Sequence, residues 1–316
     1  MYSDLIEQAL YAAVPYSNAD KKVRFEAIVA EIIGTKQRRF GPMPSPEVQV
    51  GIREVVRQSG DHIRFFLPWA CRKQDANKKF DLLEFYALKQ LLCLREGLKR
   101  MGVESKFYFR LEDLTDLWLF NADTGVNEYA RAFDGVVSKM LPGSIVNLES
   151  DFTSYTLWHD KATEYKQEFL QYFAHGREPD LPGWQPMPPE QLQYYRDLNQ
   201  KLYPQANAAE KMADYFAAVL ARKTLNAVGH PSGPFIFITF AHPVPGNPIQ
   251  PNRLFYRTLP ERFTNKHVSP WMTSGYFRIK DMTNEVCPRF VEEGVDVIPN
   301  ESCWDGVKIA TDYAID

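Results

Sequence analysis

At 316 residues the chain suits one large α/β domain or a domain with a smaller addition, and its formal net charge of -3 gives no bulk attraction for nucleic acid or an anionic membrane. Aromatic residues at 14 % and charged residues at 24 % exclude the disordered and fibrous classes. Four scattered cysteines (Cys71, Cys93, Cys287, Cys303) form no CxxC pair, no apolar run reaches the roughly 18 residues of a membrane span, and no signal-peptide pattern opens the chain, so a reduced, cytoplasmic setting is expected.

In chain order, the spacing predicts a short amphipathic helix over 4–14 and a second over 20–33, with Val23, Ala27, Ala30 and Ile33 on its face and Gly34 as its stop. Lys36, Arg38 and Arg39 then form a basic turn, read either as a solvated loop or as a lip over an anionic ligand. A helix over 47–58 precedes the stretch that organises the chain. There, Ile63 to Trp69 reads as a buried strand, Arg72, Lys73, Lys78 and Lys79 as a basic turn, and Asp81 as the start of a long helix. Leu83, Ala87, Leu91, Leu94 and Leu98 recur every three or four residues and mark the buried face of that helix.

A second strand is expected over 105–110, with Glu112, Asp113 and Asp116 just beyond it. Acidic groups there suit amine or hydroxyl recognition and proton transfer; equally, they suit a helix N-terminus at the positive end of its dipole. A helix over 127–140, a strand over 145–148 and a helix over 152–173 follow. Pro179, Pro182, Pro186, Pro188 and Pro189 mark a connector or lid whose Trp184 either caps a ligand or pins the loop to the body. Helices are expected over 189–202 and 208–228, the second patterned by Met212, Phe216, Val219 and Leu220. The apolar run 234–240 reads as a strand buried on both faces, and further strands are expected over 253–257 and 272–279.

Alternating strands and helices at this spacing predict an α/β, Rossmann-like fold: a mostly parallel sheet covered by helices, with N-terminal helices and a C-terminal strand-rich extension. The expected organisation is an N-terminal helical segment (1–60), a Rossmann-like core (61–175), a proline-rich connector (176–205) and a C-terminal part that completes the sheet and site (206–316).

No metal-binding spacing links the six histidines, and there is no GxGxxG, Walker loop, GxSxG elbow or kinase signature, so no cofactor is expected. A constellation remains. Lys73 after a buried strand has the setting of a phosphate partner or an amine nucleophile. Asp81 and Glu84 share a first helical turn, where they read as site carboxylates or as a capping box. His242 at a strand end and Trp271 after Ser269-Pro270 offer an acid/base group and an aromatic wall.

These residues, in this order, resemble the isocyanide (isonitrile) synthase family. Its strand leading to an L-P-x-x-P-x-K turn and a P-D-x-x-E helix start is similar to Leu67-Pro68-Trp69-Ala70-Cys71-Arg72-Lys73 followed by Phe80-Asp81-Leu82-Leu83-Glu84. Its acidic strand end and V-x-x-Y helix resemble Phe109 to Asp113 and Val126 to Tyr129, and its H-P strand end and T-P-W-H motif resemble Ala241-His242-Pro243 and Ser269-Pro270-Trp271. Departures include Leu114 in place of a glycine, Met272 in place of the last histidine, and a shorter turn between Lys73 and Asp81.

The resemblance implies conversion of an amino-acid amine, that of an aromatic amino acid, into an isonitrile, with ribulose 5-phosphate supplying the carbon. It implies Lys73 as imine former or charge clamp on the sugar phosphate, Arg72, Lys78 and Lys79 at the phosphate, Glu84 or Asp113 at the amine, His242 in proton transfer and Trp271 as a wall. Asp81 and Glu112 belong to the binding set. The partners implied are small molecules, an amino acid and a sugar phosphate, with no nucleic acid or membrane. Two other readings stand beside it: a Rossmann-like transferase acting on a nucleotide or phosphosugar, and a non-catalytic binding relative.

Overall fold

The computed structural model describes residues 18–35, 38–39, 43–70, 82–120, 126–202, 207–225, 232–240 and 250–256. Among these, five strands form one sheet: β1 (His62–Trp69), β2 (Glu104–Leu111), β3 (Ile145–Leu148), β4 (Ile236–Thr239) and β5 (Arg253–Phe255). Their order is β3-β2-β1-β4-β5, and every pairing is parallel. The α/β parallel-sheet class expected from the sequence is therefore the observed one. Strand order reverses between β1 and β4, the position beside which open α/β sheets keep their ligands.

Eight helices accompany the sheet: α1 (Asn18–Ile33), α2 (Pro46–Ser59), α3 (Leu82–Arg100), α4 (Asp113–Phe120), α5 (Val126–Met140), α6 (Tyr155–His175), α7 (Pro189–Leu202) and α8 (Ala208–Thr224). Local chemistry sets several of their ends. Ser45 Oγ accepts from Val48 N at the start of α2, where Pro46 loses no hydrogen bond by lacking an N–H. At the other end of α1, Gly34 adopts φ 82° and donates its N–H to Ala30, the left-handed turn that stops the helix.

Alternation along β1 sends Ile63, Phe65, Leu67 and Trp69 to one face of the sheet, where they join Phe107, Phe109, Ile236, Ile238 and Leu254 in the main core. Helices α1, α2, α3 and α5 cover this face; Ala87, Leu91, Leu94 and Leu98 of α3 are fully buried, as their spacing predicts. Each large side chain in this layer contributes roughly 1.5–3 kcal/mol relative to exposure. The opposite face presents Arg64, Phe66 and Pro68 of β1, Lys106, Tyr108 and Arg110 of β2, Phe237 and Thr239 of β4, and Arg253 and Phe255 of β5.

A second core gathers α4, α6, α7 and α8. Trp184 of the proline-rich segment packs edge-on against Phe169 with ring centroids 4.9 Å apart, so it pins the loop to this body. Met212, Phe216 and Leu220 of α8 are buried.

Two expectations are corrected. On α1, Val23 is exposed and so are Ala27 and Ala30; Ile33 is buried as expected, but in a stripe with Ile28, Val29 and Ile32, because that is the side of the helix on which α2 and α3 pack. Within the basic turn, Arg38 and Arg39 are buried rather than solvated. Arg38 Nη2 meets Glu31 Oε1 at 2.7 Å and its guanidinium lies 5.9 Å from the Tyr256 ring centroid, so the turn clamps helix α1 to the end of β5. The expected helix over 4–14 and strand over 272–279 lie outside the described residues, and no helix among the described residues is long and apolar enough to cross a membrane.

Candidate functional site

Parallel pairing carries the chain off the same sheet edge after β1, β2, β3 and β4. Lys73, Arg72, Lys78, Lys79 and Asp81 follow β1 in sequence, and His242 follows β4; all six, with Trp271, lie outside the described residues. Glu84 belongs to the first turn of α3, and its side chain is likewise outside them. Glu112 and Asp113 are described, and a buried charge network is built on them.

The network starts at the end of β2. Arg110 is 2 % exposed; its guanidinium stands 5.7 Å from the Phe66 ring centroid, and its Nη2 is 3.7 Å from Glu112 Oε1. Glu112 donates its backbone N–H to the Trp69 carbonyl at 2.9 Å, fixing the turn after β2 against the tip of β1. Asp113 opens α4, and its carboxylate accepts from Ser150 N at 3.2 Å and Ser150 Oγ at 2.5 Å. This ties α4 to the short 3₁₀ turn Glu149–Asp151 after β3. Burial pushes the Asp113 carboxyl above the usual aspartate range, while the bonds from Ser150 oppose that shift.

Glu149 is fully buried, and its Oε2 accepts from Thr115 N at 2.9 Å, satisfying one of the unpaired donors in the first turn of α4. Burial raises its carboxyl from 4.5 to about 7; Arg222 and Arg110 pull it down and Glu112 pushes it up. Arg222, in the last turn of α8, is ion-paired to Glu112 and has its Nη1 3.8 Å from Glu149 Oε1. Burial alone would lower the Arg222 pKa, yet Glu112 and Glu149 hold it above the ordinary arginine value. Chemically, the group offers a carboxyl that exchanges a proton near neutrality beside a carboxylate fixed by two guanidinium groups.

At the neighbouring strand tip, Trp69 Nε1 donates to Tyr129 Oη at 2.8 Å, both side chains being buried. The bond ties the end of β1, the strand that precedes Lys73 in sequence, to α5.

Three members of this network are additions to the sequence reading. Glu149 follows a strand end, the same position that singled out Glu112 and Asp113, so a usable signal exists in Leu148-Glu149-Ser150. Arg222 has none, because a basic residue in the last turn of a helix ordinarily faces water. Arg110 reads as one residue of a strand until the register shows that it shares a face with Phe66.

No family model matches the chain, and no curated protein matches it. Among solved structures it is similar to the PvcA protein from Pseudomonas aeruginosa, at 15 % identity and a TM-score of 0.48, over 86 % of this chain and 88 % of that one.

Proposed function

We propose that the protein is an isonitrile-forming enzyme that converts the amine of an aromatic amino acid to an isocyanide, with ribulose 5-phosphate as the carbon source. One observation supports the reading: β2, β1 and β4, the strands that in sequence precede Glu112 and Asp113, Lys73 and His242, are adjacent and parallel and end on one sheet edge. The motif resemblance requires that adjacency, and sequence spacing alone does not produce it.

In this reading Lys73 engages the ketose phosphate, as imine former or as charge clamp, with Arg72, Lys78 and Lys79 at the phosphate. Glu84 or Asp113 positions the amine, His242 moves protons, and Asp81, Glu112 and Trp271 complete the binding set. Glu112 is oriented at the edge by Arg222 and Arg110. Glu149 behind it supplies a carboxyl that titrates near neutrality, a property suited to buffering proton transfer.

The test incubates purified protein with ribulose 5-phosphate and each of the twenty amino acids, with mass spectrometry for the isonitrile product. Product from tyrosine or tryptophan, dependent on the pentose phosphate, supports the reading; no isonitrile from any amino acid overturns it. A thermal-shift comparison separates the transferase alternative, since a ligand at a hundredfold excess over its Kd stabilises by about 2.7 kcal/mol. Stabilisation by nucleotide without stabilisation by pentose phosphate favours that alternative.

A further inference from the structure

The uncovered chemistry of the second sheet face lies at β4 and β5. Arg253 opens β5 in register with Phe237, and its guanidinium stands 4.8 Å from the Phe237 ring centroid. Phe237 meets Phe66 edge-on at 5.1 Å, so an aromatic pair separates Arg253 from Arg110 across the sheet. Arg253 Nη2 donates to Gln250 Oε1 at 3.1 Å, whereas its Nε is buried and has no hydrogen-bond partner among the described residues.

Two positions further along β4 than Phe237, on the same face, Thr239 Oγ1 is also buried and has no partner among the described residues. Arg38, Arg110 and Arg222 each have a carboxylate, from Glu31, from Glu112, and from Glu112 with Glu149. Arg253 has none among the described residues. Burial and the nearby positive charge of Arg222 both lower its pKa, as expected where the surroundings are cationic and desolvated.

A half-buried cation with no counter-charge and a buried hydroxyl with no partner among the described residues are unfavourable unless something negative completes them. Thr239 closes β4, the strand on one side of the reversal of strand order where this class of sheet keeps its ligands, and Arg253 lies on β5, paired to β4. We propose that Arg253 and Thr239 form an anion subsite that receives a carboxylate or phosphate of a small-molecule ligand, with Phe237 as its apolar wall. Arg253 Nε and a terminal nitrogen present the two-pronged donor edge that matches such an oxyanion, and the Thr239 hydroxyl donates a third bond. The assignment stands apart from the isonitrile chemistry, because ligand binding is measured without turnover.

The experiment is isothermal titration of the full chain with inorganic phosphate, ribulose 5-phosphate, L-tyrosine and tyramine. Wild type, Arg253→Gln, Arg253→Lys and Thr239→Val are compared, with cooperative melting as the fold control. At least one anion is expected to bind wild type, with its Kd raised about tenfold or more by Arg253→Gln, partly restored by Arg253→Lys, and raised severalfold by Thr239→Val.

Binding of L-tyrosine without tyramine identifies the carboxylate as the occupant, and binding of both phosphates identifies the phosphoryl group. No binding of any anion to wild type, or a Kd unchanged by Arg253→Gln, overturns the subsite. If Arg253→Gln does not fold, Thr239→Val decides, and an unchanged Kd in that variant overturns the proposal.

Discussion

The carboxylate of Glu149 stands 3.8 Å from Arg222 Nη1, the same nitrogen that pairs with Glu112. One guanidinium at the end of α8 thus joins the ends of β2 and β3, and through Thr115 the start of α4. The second helical core is thereby tied to the sheet edge by charge.

The first consequence is a pH-dependent stability. Glu149 has a folded pKa of about 7 against an ordinary value of 4.5, so between these limits the folded chain holds a proton that the unfolded chain has lost. Unfolding then releases a proton, and stability contributed by this group is full below the lower value and falls as pH rises through the upper one, by roughly 3 kcal/mol in all. The upward shift of Asp113 acts in the same direction. Urea unfolding from about pH 5 to about pH 8 is expected to show this decline in wild type and a shallower one in Glu149→Gln. Parallel profiles for the two proteins would refute it.

A second prediction concerns Arg222 itself. Removing it leaves Glu112 without its nearest counter-charge and Glu149 without the stronger of the two cations that lower its pKa, so Arg222→Met is expected to cost about 3–5 kcal/mol. Combining it with Glu149→Gln should cost less than the sum of the single changes, since the second substitution removes one of the stranded charges. Additivity in the double-mutant cycle would show that the two side chains are not coupled.

The third concerns the tip of β1. Tyr129→Phe removes the acceptor of the Trp69 indole N–H in a buried setting, with an expected loss of about 1–3 kcal/mol. Adding Trp69→Phe removes the stranded donor but opens a cavity among Phe109, Phe133 and Phe240, whose rings surround it. Chemical denaturation of the two single variants and the pair would separate the hydrogen bond from the packing.

Much of the fold is legible because its signals are local. Ala87, Leu91, Leu94 and Leu98 repeat at the helical period and are all fully buried, and the limits of β3 and α7 are those that turn residues predict. What escapes is long-range. Val23 was as good a candidate for the buried face of α1 as Val29 until α2 and α3 supplied the groove. Arg38 and Arg39 carry charge, which argues for solvent, but Glu31 and Tyr256 provide the partners that let them go inside. Likewise Glu112 and Asp113 are visible as acids at a strand end, whereas the cation that organises Glu112 comes from α8, and no spacing rule reaches across that separation. The strand order has the same character: the return from β3 to β4 passes through α6, α7 and α8, and which side of β1 receives β4 is decided by packing.

The last prediction separates the chemistry from the frame. In the isonitrile reading Lys73 contacts substrate, and the strand that delivers it is held independently by Trp69 and Tyr129 and by the Glu112 bond to Trp69. Lys73→Ala is therefore expected to leave the melting temperature within about a degree of wild type, a change of about ±0.5 kcal/mol or less, while turnover falls by orders of magnitude. His242→Ala should behave alike if it moves protons, with a pH–rate profile that loses one limb. Measured turnover in Lys73→Ala equal to wild type would remove the amine and charge-clamp roles together, and the non-catalytic reading would then account better for a sheet edge so heavily furnished with charge.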